Sequence, residues 1–446
     1  MPPIERIVVL MMENHSFDRV LGWMKQIYPG IEGVDPKNPL QNPDFPPGAQ
    51  HVIQAPTQAR AIPHDPGHDL DDVLAQLANA NQGFVADYAR KYPKAPLSER
   101  QEVMGWYERG FLPAIHYLAE SFVVCDHWFS SMPGPTWPNR FFVHSGTSLG
   151  HVDMPEGLFN PAVHVYDQET LYDELDKAKV DWRIYHGDFS QSLLLTHQLT
   201  KLDHYSKFTA FADDVANNRL PPYVFIEPAF FGSEENDQHP PQDVMRGDAL
   251  IASVFNALHA NKAVFEKTLL VILYDEHGGF FDHVSPPATV APDAHTGTYA
   301  FDRLGVRVPA ILVSPWLDPG FITPVFDHTS LLKMACQTWG VAPLGSRTAQ
   351  AHAPLDALRW RQAARTDIRP APSPRTLLPI VPQAALTGQK QGLYAYSQYL
   401  ESQIRDPKAK ANLMLRAHDA LTGAIAQGTL ATERQDAFMT ERKRGG

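Results

Sequence analysis

Short, almost unbroken apolar runs alternate along the chain with longer amphipathic stretches. Ile7-Val8-Val9-Leu10, Phe122-Val123-Val124, Trp182-Arg183-Ile184-Tyr185, Tyr223-Val224-Phe225-Ile226, Leu269-Leu270-Val271-Ile272-Leu273 and Val308-Pro309-Ala310-Ile311-Leu312-Val313 read as strands. The first, fifth and sixth are nearly continuous in apolar residues, the pattern of strands covered on both faces. Between them, segments such as Leu70–Asn79 and Asp248–Ala260 carry helical spacing. This alternation predicts an α/β layered fold with a largely parallel central sheet flanked by helices. The pattern holds over residues 1–348. Residues 349–383, rich in Pro, Ala and Arg, read as a wrapping segment. Residues 384–446 are polar and helix-prone, with Tyr394, Tyr396, Tyr399 and Leu400 near helical spacing, and are expected to pack on the core as a helical extension.

Composition changes this picture in three ways. The 446 residues are 43% hydrophobic and 20% charged, enough apolar material for a substantial core. A net charge of -12 excludes a general nucleic-acid binder, so an anionic substrate must be attracted by local charge. The 39 prolines predict many irregular loops, and two cysteines, Cys125 and Cys336, exclude a disulfide framework. No window reaches the ~18 apolar residues of a membrane span. The N-terminus lacks a basic region followed by an apolar run. The expectation is a soluble chain, either cytoplasmic or a mature secreted or periplasmic form.

Two strands run into acidic clusters: Glu13-Asn14-His15-Ser16-Phe17-Asp18 after the first, and Asp275-Glu276-His277-Gly278-Gly279-Phe280-Phe281-Asp282-His283 after the fifth. In a parallel sheet their carboxyl ends open at one edge, where α/β proteins bind ligands. Glu13, Asn14, Asp275 and Glu276 would then converge, and crowded carboxylates call for a cation between them. Pro133-Gly134-Pro135-Thr136-Trp137-Pro138-Asn139-Arg140 places Thr136 at a helix N-terminus, either as a simple cap or as a hydroxyl beside an anion site. Histidines cluster in His64-Asp65-Pro66-Gly67-His68, in Asn236-Asp237-Gln238-His239 and in Tyr185-His186-Gly187-Asp188, as acid/base groups or contacts for an oxyanion.

These motifs resemble the phosphoesterase family of bacterial phospholipases C and acid phosphatases, closest to the plant non-specific phospholipase C branch. The resemblance rests on Glu-Asn-His-Ser-Phe-Asp, Pro-Thr-x-Pro-Asn-Arg and Tyr-Asp-Glu-His-Gly-Gly-Phe-Phe-Asp-His-Val, and covers about residues 4–340 in the family's order. It implies an alkaline-phosphatase-like fold and a metal-dependent phosphoesterase domain over 1–348. It also implies one divalent ion (Ca²⁺, Zn²⁺, Mg²⁺ or Mn²⁺) held by Glu13, Asn14, Thr136, Asp275 and Glu276. Thr136 would be the nucleophile as well as a ligand. Asn139 would hold a phosphate oxygen, and His68 and His239 would contact phosphate or protonate the leaving alkoxide. His186 and His277 are weaker candidates. His15 departs from the motif, where Arg is common.

The implied function is a phospholipase C acting on phosphatidylcholine-like lipids, with transient membrane-surface contact. The alternatives are a broad acid phosphatase using the same residues and a catalytically dead lipid-binding module. Trp128-Phe129 with Trp137 could grip a choline head group by cation–π contact, but more simply belong to the core. Oligomeric state is left open.

Overall fold

A computed structural model describes residues 2–46, 50–154, 165–378 and 388–406. Its centre is an eight-stranded sheet: β1 (Arg6–Met12), β2 (Val123–Cys125), β3 (Trp182–His186), β4 (Tyr205–Lys207), β5 (Tyr223–Glu227), β6 (Thr268–Tyr274), β7 (Ala310–Val313) and β8 (Gly320–Ile322), in the order β8-β2-β7-β6-β1-β5-β3-β4. All six apolar runs form strands, and every residue of β5, β6 and β7 is buried. Helices flank the sheet, as double-sided burial requires: α1 (Leu70–Gln76), α2 (Pro113–Ser121), α3 (Thr136–Ser145), α4 (Val244–Ala260), α5 (Thr329–Trp339) and α6 (Gly388–Gln403).

The sheet is largely parallel. β1 pairs in parallel with β6 on one side and β5 on the other, while β7 runs antiparallel to both β6 and β2. The β1–β6 register aligns Met12 with Tyr274, so the next residues of the two strands, Glu13 and Asp275, leave the same edge side by side. On the other flank Leu10 aligns with Ile226, and His186 of β3 aligns with Glu227.

The expected helix from Leu70 stops at Gln76, short of Asn79. Asn79, Ala80 and Asn81 have φ of 52°, 59° and 63°, and a run of left-handed residues cannot continue a right-handed helix. Further along, residues 358–378 follow the surface. Arg365 donates to Ser121 O, and Asn256 exchanges hydrogen bonds with the Ala371 backbone. Leu393, Tyr396 and Leu400 of α6 enter the main core, and the Tyr396 hydroxyl donates to Leu193 O at 2.6 Å. The rest of the C-terminal extension lies outside the described residues. Among those described, no helix is long and apolar enough to cross a membrane. Trp128 and Trp137 are fully buried members of the main core and Phe129 is 1% exposed, so none of them is placed to grip a head group.

Two imidazoles deep in this core make the fold acid-sensitive. Burial pushes both His116 and His144 down to about 3, so they stay neutral in the folded chain. The unfolded chain protonates them below their ordinary value near 6.5. Between roughly pH 3 and 6.5 the unfolded state therefore binds more protons, and their contribution to stability is lost as pH falls through that window. Urea titrations at pH 7 and pH 4.5 are expected to give a lower midpoint at 4.5, with the gap reduced in His116→Gln.

Candidate active site

Each functional side chain is placed by a backbone feature that its sequence favours. Asn14 has φ 60°, a left-handed conformation that Asn adopts more readily than most residues. Its N–H donates to Asp275 Oδ1 at 3.3 Å, closing the step from β1 to β6. Gly278, at φ +63°, packs so tightly on this turn that a Cβ there would lie 2.3 Å from Asn14 O. At Gly279 a Cβ would meet Gly67 O at 2.5 Å. The two glycines thus let the loop after β6 wedge between Asn14 and the Asp65–His68 loop. This brings His68 Nδ1 within 2.9 Å of Glu276 Oε1 and 3.1 Å of Asn14 Nδ2.

Thr136 opens α3 behind Pro135 and is fully buried, with Oγ1 3.5 Å from Asn14 Oδ1. Asn139, one turn on, is occupied by the loop before the helix. Its Oδ1 accepts from Met132 N, and its Nδ2 donates to Gly134 O at 2.9 Å and Pro135 O at 3.1 Å. Asn139 therefore holds the segment that presents Thr136.

Arg140, at i+4 from Thr136 on the same helix face, is the group that inspection of the carboxylates alone overlooks. Its guanidinium is 2.9 Å from Asp275 Oδ2, 3.0 Å from Glu13 Oε1 and 3.6 Å from Glu227 Oε1, and it is 1% exposed. A cation does sit among the crowded acids, and it is a side chain. Gln191 Nε2 adds a hydrogen bond to Glu13 Oε1 at 2.8 Å. Glu227, at the end of β5, also accepts from Gln191 N at 3.0 Å and from Ser190.

His277 orients Glu276. Its Nε2 meets Gln76 Oε1 at 2.8 Å and its Nδ1 lies 3.2 Å from Glu276 Oε2. The His239 and His68 rings meet edge-on with centroids 5.7 Å apart. His186 ends β3 opposite Glu227, with Nδ1 3.0 Å from Asp188 O. His15 turns away, stacking on Phe280 at 4.9 Å between centroids. The second half of both acidic motifs is structural: Asp18 and Asp282 hold Arg307 at 3.0 and 3.1 Å, and His283 Nδ1 lies 2.9 Å from Asp18.

The electrostatics show a shortage of positive charge. Burial raises Glu227 to about 7 and lifts Asp275 and Asp237 well above the usual carboxylate range, with Arg140 only partly offsetting it at Asp275. Although burial opposes ionisation of Glu276, His68 and His277 hold its carboxyl below the usual range. His68 also resists burial: Glu276 and Asp65 raise it to about 10. Burial lowers His239. Glu13, Asn14, Thr136, Asp275 and Glu276 carry oxygens of the kind hard ions bind, but Arg140 already lies between Glu13 and Asp275. The 3.5 Å between Thr136 Oγ1 and Asn14 Oδ1 suits two oxygens sharing one ion, being long for an O–H···O hydrogen bond.

Thr136 is thus a buried hydroxyl at a helix N-terminus beside Asn14, whose backbone meets the strand-end acid Asp275. The model of the phosphoesterase family matches residues 4–342, and the chain belongs to that family, a class of phosphoric ester hydrolases. It is 34% identical over 401 residues to non-specific phospholipase C3 of Arabidopsis thaliana, covering 82% of this chain and 75% of the relative. Non-specific phospholipase C6 of the same plant is 36% identical over 338 residues, 72% of this chain and 63% of the relative. Phospholipase C B of Mycobacterium tuberculosis is 31% identical over 421 residues, 82% and 77% respectively. Among solved structures, a protein in the alkaline phosphatase superfamily from Vibrio parahaemolyticus aligns with a TM-score of 0.33 at 9% identity, over 59% of this chain and 69% of that one.

Arg140 gives the clearest stability prediction of the site. Arg140→Leu strands three buried acids and is expected to cost about 3–5 kcal/mol of unfolding free energy at pH 7. Protonation of those acids should shrink the deficit at pH 5. A midpoint unchanged in urea would show that the acids do not depend on the guanidinium.

Proposed function

We propose that the protein is a phospholipase C, hydrolysing the glycerol-side phosphodiester of phospholipids such as phosphatidylcholine to diacylglycerol and a phosphorylated head group. Thr136 is the nucleophile in this reading. The observation that carries it is the position of Thr136 Oγ1, buried at the start of α3 and 3.5 Å from Asn14 Oδ1 within the acidic cluster. The names of the relatives, phospholipases C from a plant and a mycobacterium, support the same class of reaction.

Glu13, Asn14, Thr136, Asp275 and Glu276 would hold one divalent ion, which when bound lowers the hydroxyl's pKa and offsets charge on the phosphoryl oxygens. Thr136 Oγ1 attacks phosphorus in line, forming its bond as the bond from phosphorus to the glycerol oxygen breaks. The leaving alkoxide takes a proton on the side of His68 and His239. Water then cleaves the head-group phosphoryl ester on Thr136, restoring the hydroxyl and releasing the phosphorylated head group. Asn139 and the N-terminus of α3 hold the attacking group in position, and Arg140 keeps Glu13 and Asp275 beside it. Substrate reaches the site by transient contact with a membrane surface.

A phosphatase acting on monoesters would use the same residues, and rates separate the two readings. With matched chromogenic substrates, the phosphodiester is expected to turn over faster than the monoester, and lipid vesicles should yield diacylglycerol. A strong monoester preference would contradict the lipase assignment. Thr136→Ala is expected to reduce turnover by about 10³-fold or more with the unfolding midpoint retained. Activity near wild type in that variant would exclude Thr136 as nucleophile.

A further inference from the structure

The C-terminal helix α6 reaches back to the acid-rich end of the sheet with one charged side chain. Lys390 is 5% exposed, a degree of burial that lysine reaches almost only when paired. Its ammonium meets the buried carboxylate of Glu235, in the loop that follows β5. Although burial opposes ionisation of Lys390, Glu235 and Asp237 hold it above its ordinary value. Its charge in turn opposes the upward pull of burial on Asp237 and Asp188. Arg140 thus answers Glu13, Asp275 and Glu227, while Lys390 answers a second set of acids in the loops after β3 and β5.

Those two loops are the ones that hold Glu13. On one side Glu13 N donates to Asp237 O at 3.0 Å. On the other, Gln191 Nε2 donates to Glu13 Oε1 at 2.8 Å. The helix fastens both. Lys390 pairs with Glu235, two residues before Asp237, and the Tyr396 hydroxyl donates at 2.6 Å to Leu193 O, two residues beyond Gln191. The Tyr396 ring also packs against Phe189, with centroids 6.3 Å apart.

Apolar burial of Leu393 and Leu400 anchors α6 but supplies no charge. The acids need one. Asp237 Oδ2 is buried and has no hydrogen-bond partner among the described residues. An oxygen without a donor in contact depends on the field of a nearby cation, which acts over a longer distance in a poorly polarisable interior.

We propose that Lys390 is a positioning residue of the active site: its ammonium, delivered by α6, clasps the 235–237 segment and, with Tyr396 at the other loop, keeps both loops closed on Glu13. The proposal deepens the reading of Glu13 and Thr136 as parts of one reactive site and rests on it. Lys390 acts through Glu235 and Asp237 without touching substrate, so its loss should lower kcat and spare KM.

Steady-state kinetics of the full chain test this, with one phosphodiester and one monoester chromogenic substrate. The ester that wild type prefers tests the phospholipase reading, whereas the ratio of variant to wild type on that ester tests Lys390. Lys390→Met is expected to lower kcat by about tenfold or more, as for a slightly misplaced reactive group, with KM within about twofold of wild type. Combining Lys390→Met with Glu235→Gln removes both charges and is expected to recover most of the lost kcat. The void left by the lysine persists in the double variant, so recovery reports charge balance and not packing. Circular dichroism checks that each variant is folded. A kcat within about twofold of wild type in Lys390→Met, or a double variant no more active than the single one, would overturn the proposal. If Lys390→Met does not fold, the double variant decides: folded and active it supports the clasp, and unfolded it overturns it.

Discussion

Buried acid at the ends of neighbouring parallel strands is the constraint on which the rest of this structure depends. The register of β1 against β6 delivers Glu13 and Asp275 to one edge, and β5 brings Glu227 to the same region. Like charges in a medium of low dielectric repel strongly, so the fold is viable only if positive charge is supplied at that point. Arg140 supplies part of it from α3. The same helix carries Thr136 one turn earlier, so the charge that makes the acids tolerable and the hydroxyl beside Asn14 arrive on one rigid element.

From this follows the division of labour along each motif. In the first, Asn14 adopts the left-handed turn and reaches both Thr136 and His68, whereas Ser16 caps the next helix and Asp18 anchors Arg307. The later motif repeats the division: Asp275 meets Arg140 and Glu276 meets His68, the two glycines allow close approach, and Asp282 returns to Arg307. A motif of six or nine residues therefore codes half for the buried acidic cluster and half for the frame that holds it.

Much of this is legible in the sequence. Near-continuous apolar runs give the buried strands, because only side chains tolerated on both faces of a covered sheet can occupy them. The acidic residues immediately after two such runs locate the buried acidic cluster. Other features depend on information that no local pattern contains. The antiparallel direction of β7 is set by the path of a long connection, and Arg140 is significant only once Glu13, Asp275 and Glu227 are known to surround it. Its spacing from Thr136 was the available signal. Asp65 is visible in its motif, but its neighbour His239 is 174 positions away in sequence. Asn139 shows the opposite case: its amide, assigned to phosphate by resemblance, is engaged with the loop of residues 132–135.

As the proposed nucleophile, Thr136 must carry the phosphoryl group transiently during the reaction. Rapid acid quench of the enzyme during turnover of phosphatidylcholine, followed by peptide mass spectrometry, tests it directly. A phosphocholine adduct is expected on the peptide that carries Thr136, rising and decaying with turnover. Product forming with that peptide unmodified throughout, or with the adduct on another residue, would contradict it.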